Sequence, residues 1–157
     1  MSAPAPAPAF TRPGPRKEQE LSSVSHSVEV RLIAVAPRIP VIPATLHYDG
    51  RDPFAVRMTF PAHAALRGQE VCWTFGRELL AEGLEQDAGE GDVRVRPYGY
   101  GRTILEFHGA EGIAVVHILT EQLRGFLDLT RALVPPGEEH LFADIEQDLA
   151  DALDDVC

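Results

Sequence analysis

The stretch A-T-L-H-Y-D-G-R-D-P-F-A-V-R-M-T-F, residues 44–60, reads as strand, turn, strand. Ala44, Leu46 and Tyr48 alternate with Thr45 and His47, and Phe54, Val56, Met58 and Phe60 alternate with Ala55, Arg57 and Thr59. A period of two puts one set on a buried face and the other in water. Between them Asp49-Gly50 and Asp52-Pro53 supply turn chemistry. Upstream, Val28, Val30 and Leu32 alternate with Glu29 and Arg31; downstream, Val71, Trp73 and Phe75 repeat the pattern. The four runs predict a four-stranded antiparallel meander.

Gly76–Leu84 (G-R-E-L-L-A-E-G-L) is rich in helix formers and predicts a short helix ending at Gly83. Strands resume with Val93 and Val95 against Arg94 and Arg96, then around Thr103–His108 and Ile113–Leu119, with a turn at Gly109–Gly112. Thr120 stands where an N-cap is expected for a helix with Leu123, Phe126, Leu127, Thr130 and Leu133 on one stripe. Pro135-Pro136-Gly137 stops it. Asp144 and Gln147 resemble a capping box for a final amphipathic helix carrying Leu141, Ile145, Leu149 and Leu153. The order predicts an α+β chain of two antiparallel β-sheets with helices, the amphipathic helices C-terminal.

Length and composition fit one domain: 157 residues, 45% hydrophobic and 24% charged. Residues 1–23, opening with alternating Pro and Ala, read as an extended tail, and residues 24–157 as the folded domain. No apolar run approaches the ~18–20 residues of a membrane span, and no leader-like hydrophobic stretch opens the chain. With two cysteines, Cys72 and Cys157, too few for a disulfide framework, the expectation is a reducing cytoplasm. The net charge of −10 is concentrated: residues 138–157 hold eight acids and no Lys or Arg, against 14 basic and 24 − 8 = 16 acidic residues before them. Such a segment repels phosphate backbones.

Neither cysteine lies in C-x-x-C, and no two histidines have zincin spacing; G-x-S-x-G and P-loop signatures are absent. The reading is therefore non-enzymatic, with no catalytic, cofactor-binding or metal-binding residue and no cofactor. His47, His108 and His117 read as sheet-face residues rather than ligands, and Glu78 and Glu82 as an exposed helix pair. Two candidate surfaces remain. Asp148, Asp151, Asp154 and Asp155 on the final helix form a candidate partner surface. Arg94, Arg96, Tyr98, Tyr100 and Arg102 combine cations with stackable rings, as a single-strand nucleic-acid binder does. The net charge and the anionic segment disfavour that alternative.

Five collinear segments resemble the SsgA-like family of actinobacterial sporulation and cell division proteins: Y-D-G-R-D-P-F-A-V (48–56), W-T-F-G-R-E-L-L-A-E-G-L (73–84), G-E-G-D-V-R-V-R-P (89–97), L-V-P-P-G-E-E (133–139) and the closing acidic segment. The resemblance runs from about Ser27 to Asp155. It implies a whirly-like fold, assembly as a homotrimer, and a cytoplasmic protein at the cell septum. It also implies partners among division proteins, namely FtsZ or another SsgA-like paralogue, with no membrane insertion.

Overall fold

The computed structural model describes residues 23–33, 40–64, 68–110 and 112–143. The first predicted meander forms as β1 (Ser23–Leu32), β2 (Val41–Asp49), β3 (Ala55–Phe60) and β4 (Val71–Gly76), each antiparallel to the next. Val28, Val30, Ala44, Leu46, Tyr48 and Met58 point inward and are buried, as the period of two requires. Phe54 departs from its predicted place. It lies in the turn before β3 and is 57% exposed, because the Asp49–Ala55 turn closes on itself and the Phe54 carbonyl accepts the Arg77 N–H at 2.8 Å.

A second meander follows, of β5 (Val93–Pro97), β6 (Arg102–Gly109) and β7 (Gly112–Leu119). The expectation of two sheets is corrected here. All seven strands form one sheet in the order β4-β3-β2-β1-β7-β6-β5. The junction is short: Arg31 pairs with His117 and Leu32 with Val116, and the Ile33 N–H donates to the Val115 carbonyl at 2.8 Å. An unpaired edge at the end of β1 would leave backbone donors and acceptors open, and β7 closes that edge.

The sheet curls until its ends meet. Phe107 on β6 has its ring 5.7 Å from Phe60, 5.1 Å from Trp73 and 6.4 Å from Phe75, on strands β3 and β4 at the other end of the order. Such aromatic contacts add about 0.5–1.5 kcal/mol each beyond area burial. The helix α1 (Arg77–Gly83) leaves β4 directly and packs on β5 and β4, lying between the two edge strands. A Cβ on Gly83 would sit 2.3 Å from the Cβ of Val95, so only glycine lets α1 approach this closely.

The helix α2 (Thr120–Leu133) buries Leu123, Phe126, Leu127 and Thr130 against β1, β6 and β7. Thr120 is its first residue rather than its N-cap; Leu119, still paired with Arg102 in the sheet, holds the cap position with extended backbone. The Thr120 N–H donates to Gly101 at 2.9 Å, and its hydroxyl meets that of Thr103 at 2.7 Å. Strand runs straight into helix here. The Pro135-Pro136-Gly137 stop holds, and the single turn α3 (Glu139–Phe142) follows.

Candidate interaction surface

Arg77 stands in the first turn of α1, where the helix dipole disfavours a cation. Its neighbours explain it. The guanidinium is buried: Nη1 donates to the carbonyls of Val134 at 2.8 Å and Thr130 at 3.2 Å, and Nη2 donates to Glu139 Oε2 at 2.9 Å. Its Cζ lies 5.1 Å from the ring centroid of Tyr48, whose hydroxyl donates to the Pro53 carbonyl at 2.9 Å. Burial pushes the Tyr48 phenol up to about 12. A hydrogen bond from the backbone N–H of Glu139 itself, then that from Arg77, holds the Glu139 carboxyl below its ordinary range. Arg77 thus ties the C-terminal end of α2 and the start of α3 to the first meander. Sequence reading passed over this residue, although a cation at a helix start was a signal.

The outer face of the second meander carries the candidate nucleic-acid residues, and the structure divides them. Arg96 forms an ion pair with Glu106, which His108 also meets at 3.1 Å. The hydrogen bond from Arg96 is the main cause that lowers the Glu106 carboxyl. Arg94 lies one row away on the same face, opposite Glu106. Tyr98 does not stand free: its ring rests 5.4 Å from that of His117. Tyr100 is fully exposed, at the tip of a turn where Gly99 and Gly101 adopt φ of 60° and 75°. Arg102 turns to His117, Nη1 to Nδ1 at 3.3 Å. Burial first, then Arg102 and Arg31, hold the His117 imidazole below its usual range, so the ring is neutral and accepts from Arg102.

Asp148, Asp151, Asp154 and Asp155 lie outside the described residues, as does most of the predicted acidic helix. Among the described residues no three of His, Cys, Asp and Glu are grouped to hold a metal, and no helix is long and apolar enough to cross a membrane. His47 lies on the outer face, 2.8 Å from the Ser25 hydroxyl. Glu78 and Glu82 are exposed on α1. Cys72 is disulfide-bonded, against the expectation of reduced thiols. It stands on the outer side of the edge strand β4, a position that sequence spacing does not report.

Fold and surface together define a curled, mainly antiparallel β-sheet protein braced by helices, with its distinctive chemistry on an outer sheet face. The model of the family described as Streptomyces sporulation and cell division protein, SsgA, matches residues 42–139. This chain belongs to that family. It is 39% identical over 135 residues to the sporulation-specific cell division protein SsgB of Streptomyces coelicolor, covering 84% of this chain and 96% of that one. It is 38% identical over 137 residues to SsgB of Kineococcus radiotolerans, covering 82% and 79%. A solved SsgA-like sporulation-specific cell division protein from Thermobifida fusca superposes with a TM-score of 0.70 at 32% identity, covering 83% of this chain and 95% of that one. An SsgB structure, from work on mutations that correlate to longitudinal cell division during sporulation of Streptomyces coelicolor, gives 0.68 at 38% identity, covering 76% and 94%.

Proposed function

We propose that this protein regulates sporulation-specific cell division at the septum, without catalysis, by contact with other division proteins. The observation that carries this reading is its 39% identity, across 96% of the relative, to a protein named for sporulation-specific cell division. The recruited partner is FtsZ or another SsgA-like paralogue, and the working form is a cytoplasmic homotrimer of whirly-like subunits. The outer sheet face supports action through surfaces, because it mixes arginines with exposed apolar side chains. The nucleic-acid alternative loses ground, since Arg96 is neutralised by Glu106 and Tyr98 is engaged with His117. The test is imaging of a fluorescently tagged copy beside FtsZ in sporulating hyphae. Regularly spaced foci coincident with FtsZ are expected; diffuse or nucleoid-bound fluorescence overturns the proposal.

A further inference from the structure

Where β2, β1, β7 and β6 lie side by side, their outward residues form one patch. Val41 stands opposite Arg31, Arg31 opposite His117, and Leu119 opposite Arg102. Tyr98 covers the His117 ring. Val41, Leu119 and Tyr98 are 47%, 44% and 48% exposed, large fractions for apolar side chains set between arginines. Among the described residues neither Arg31 nor Arg102 has a carboxylate within ion-pair distance. The Arg102 guanidinium hydrogen-bonds to a histidine nitrogen, which accepts without cancelling charge.

We propose that this patch is a docking surface for an acidic, leucine-bearing segment of a partner protein, its carboxylates on Arg31 and Arg102 and its apolar side chains on Val41, Leu119 and Tyr98. The proposal rests on the reading of this chain as one that works by protein contact. Guanidinium favours carboxylate because its fork of N–H donors matches two oxygens at once. Arg31 and Arg102 are two strands apart and two residues out of row, a backbone separation of roughly 10–12 Å. Carboxylates two turns apart on one face of a helix have that spacing.

Charge decides among the occupants. A nucleic-acid strand needs a continuous cationic track, but Arg96 is committed to Glu106, Glu29 shares the β1 outer face with Arg31, and the chain carries −10. A second copy paired across a two-fold axis would set arginine against arginine, and a cyclic neighbour would have to bring an acidic, apolar surface of its own. Six of the eight acids of the chain's own acidic segment follow α3, which Arg77 fastens beside the C-terminal end of α2. Arg102 adjoins the other end of that helix, since Gly101 accepts the Thr120 N–H, and 14 helical residues separate the two ends by about 21 Å.

The test is fluorescence anisotropy of the full chain at low salt with a fluorescein-labelled peptide of repeated Asp-Leu-Glu. Saturable binding is expected, weakened at least about tenfold by Arg31→Glu with Arg102→Glu, severalfold by Leu119→Ser, and by added salt. Arg31→Gln with Arg102→Gln, checked for an unchanged melting curve, gives the same direction should charge reversal disturb the fold. A repeated Lys-Leu-Ser peptide should not bind. Absent binding, or binding indifferent to both arginines, overturns the proposal. So does a short oligothymidylate that displaces the peptide, which would make the patch a nucleic-acid site. Tighter peptide binding after Asp148, Asp151, Asp154 and Asp155 are all changed to Asn would identify the chain's own segment as the occupant. A change of oligomeric state in the arginine variants would identify a second copy. Failure here leaves the septal role standing; a tagged chain that misses the septum removes that role even where the peptide binds.

Discussion

The two halves of the sheet share an inner face and differ on the outer one. Inward, both are apolar and bury into one core: Val30, Leu46 and Met58 from β1–β3, Val95, Leu105 and Ile118 from β5–β7. Outward, the first meander shows mostly small polar side chains, Ser25, Ser27, Thr45, Thr59 and Thr74, with Glu29, Arg57 and, beside the seam with β7, Arg31 and Val41. The second shows Arg94, Arg102 and His117 beside Leu119 and Ile113, the last 61% exposed. Even their histidines differ. His47 meets the Ser25 hydroxyl and lies between Asp49 and Arg57, charges of opposite sign, whereas His117 is pressed between two arginines under a tyrosine ring. Burial uses the faces that are alike, and the proposed docking patch lies where the two unlike outer faces meet.

The severest way to break this comparison is to part the inner faces. Phe107→Ala removes the ring that joins β6 to Phe60, Trp73 and Phe75. It should cost about 3–5 kcal/mol, read as a fall in the urea midpoint. A single transition is expected in the variant as in the parent; two separate transitions would mean that the halves are independent units.

Arg77→Met comes next, at about 3 kcal/mol, because the carbonyl of Val134 loses its donor and Glu139 its cation. Glu139→Gln should cost less. The sign of its pH dependence follows from the lowered Glu139 carboxyl. Its contribution is full above the ordinary glutamate value of about 4.3 and fades as pH falls through the lower folded value. The stability gap between parent and Glu139→Gln should therefore close on acidification; a gap that widens as pH falls contradicts the latch.

The smallest expected effect sharpens the comparison. Ser27→Arg places a guanidinium on the exposed outer face of the first half. Stability should stay within about 0.5 kcal/mol, and affinity for the acidic peptide should not change. A gain equal to the contribution of Arg31 would show that charge alone, without flanking apolar side chains, makes the surface.

Seven strands and the two longer helices were legible in order from alternation and from glycine and proline stops. The reading failed where a residue's role depends on something far along the chain. Phe54 continues the alternating pattern, yet a turn closed by Asp52 and a bond from Arg77 hold it outside the sheet. Thr120 has the chemistry of a cap, but the ladder between Leu119 and Arg102 extends past the point where a cap would form. The five candidate residues from Arg94 to Arg102 are adjacent in sequence, while the strand partners Glu106 and His117 set their different fates.

By itself, the sequence determined which face of each strand is apolar, where α1 and α2 run to within a residue, and the family, since these depend on neighbours a few residues away. The tertiary structure alone decided that β1 meets β7 to make one sheet, that Phe107 joins its two ends, that Arg77 closes the end of α2, and that Arg31 comes beside His117. Side-chain period specifies a face and leaves the lateral neighbour open; backbone hydrogen bonding and burial across 86 residues of sequence, from Arg31 to His117, make that choice.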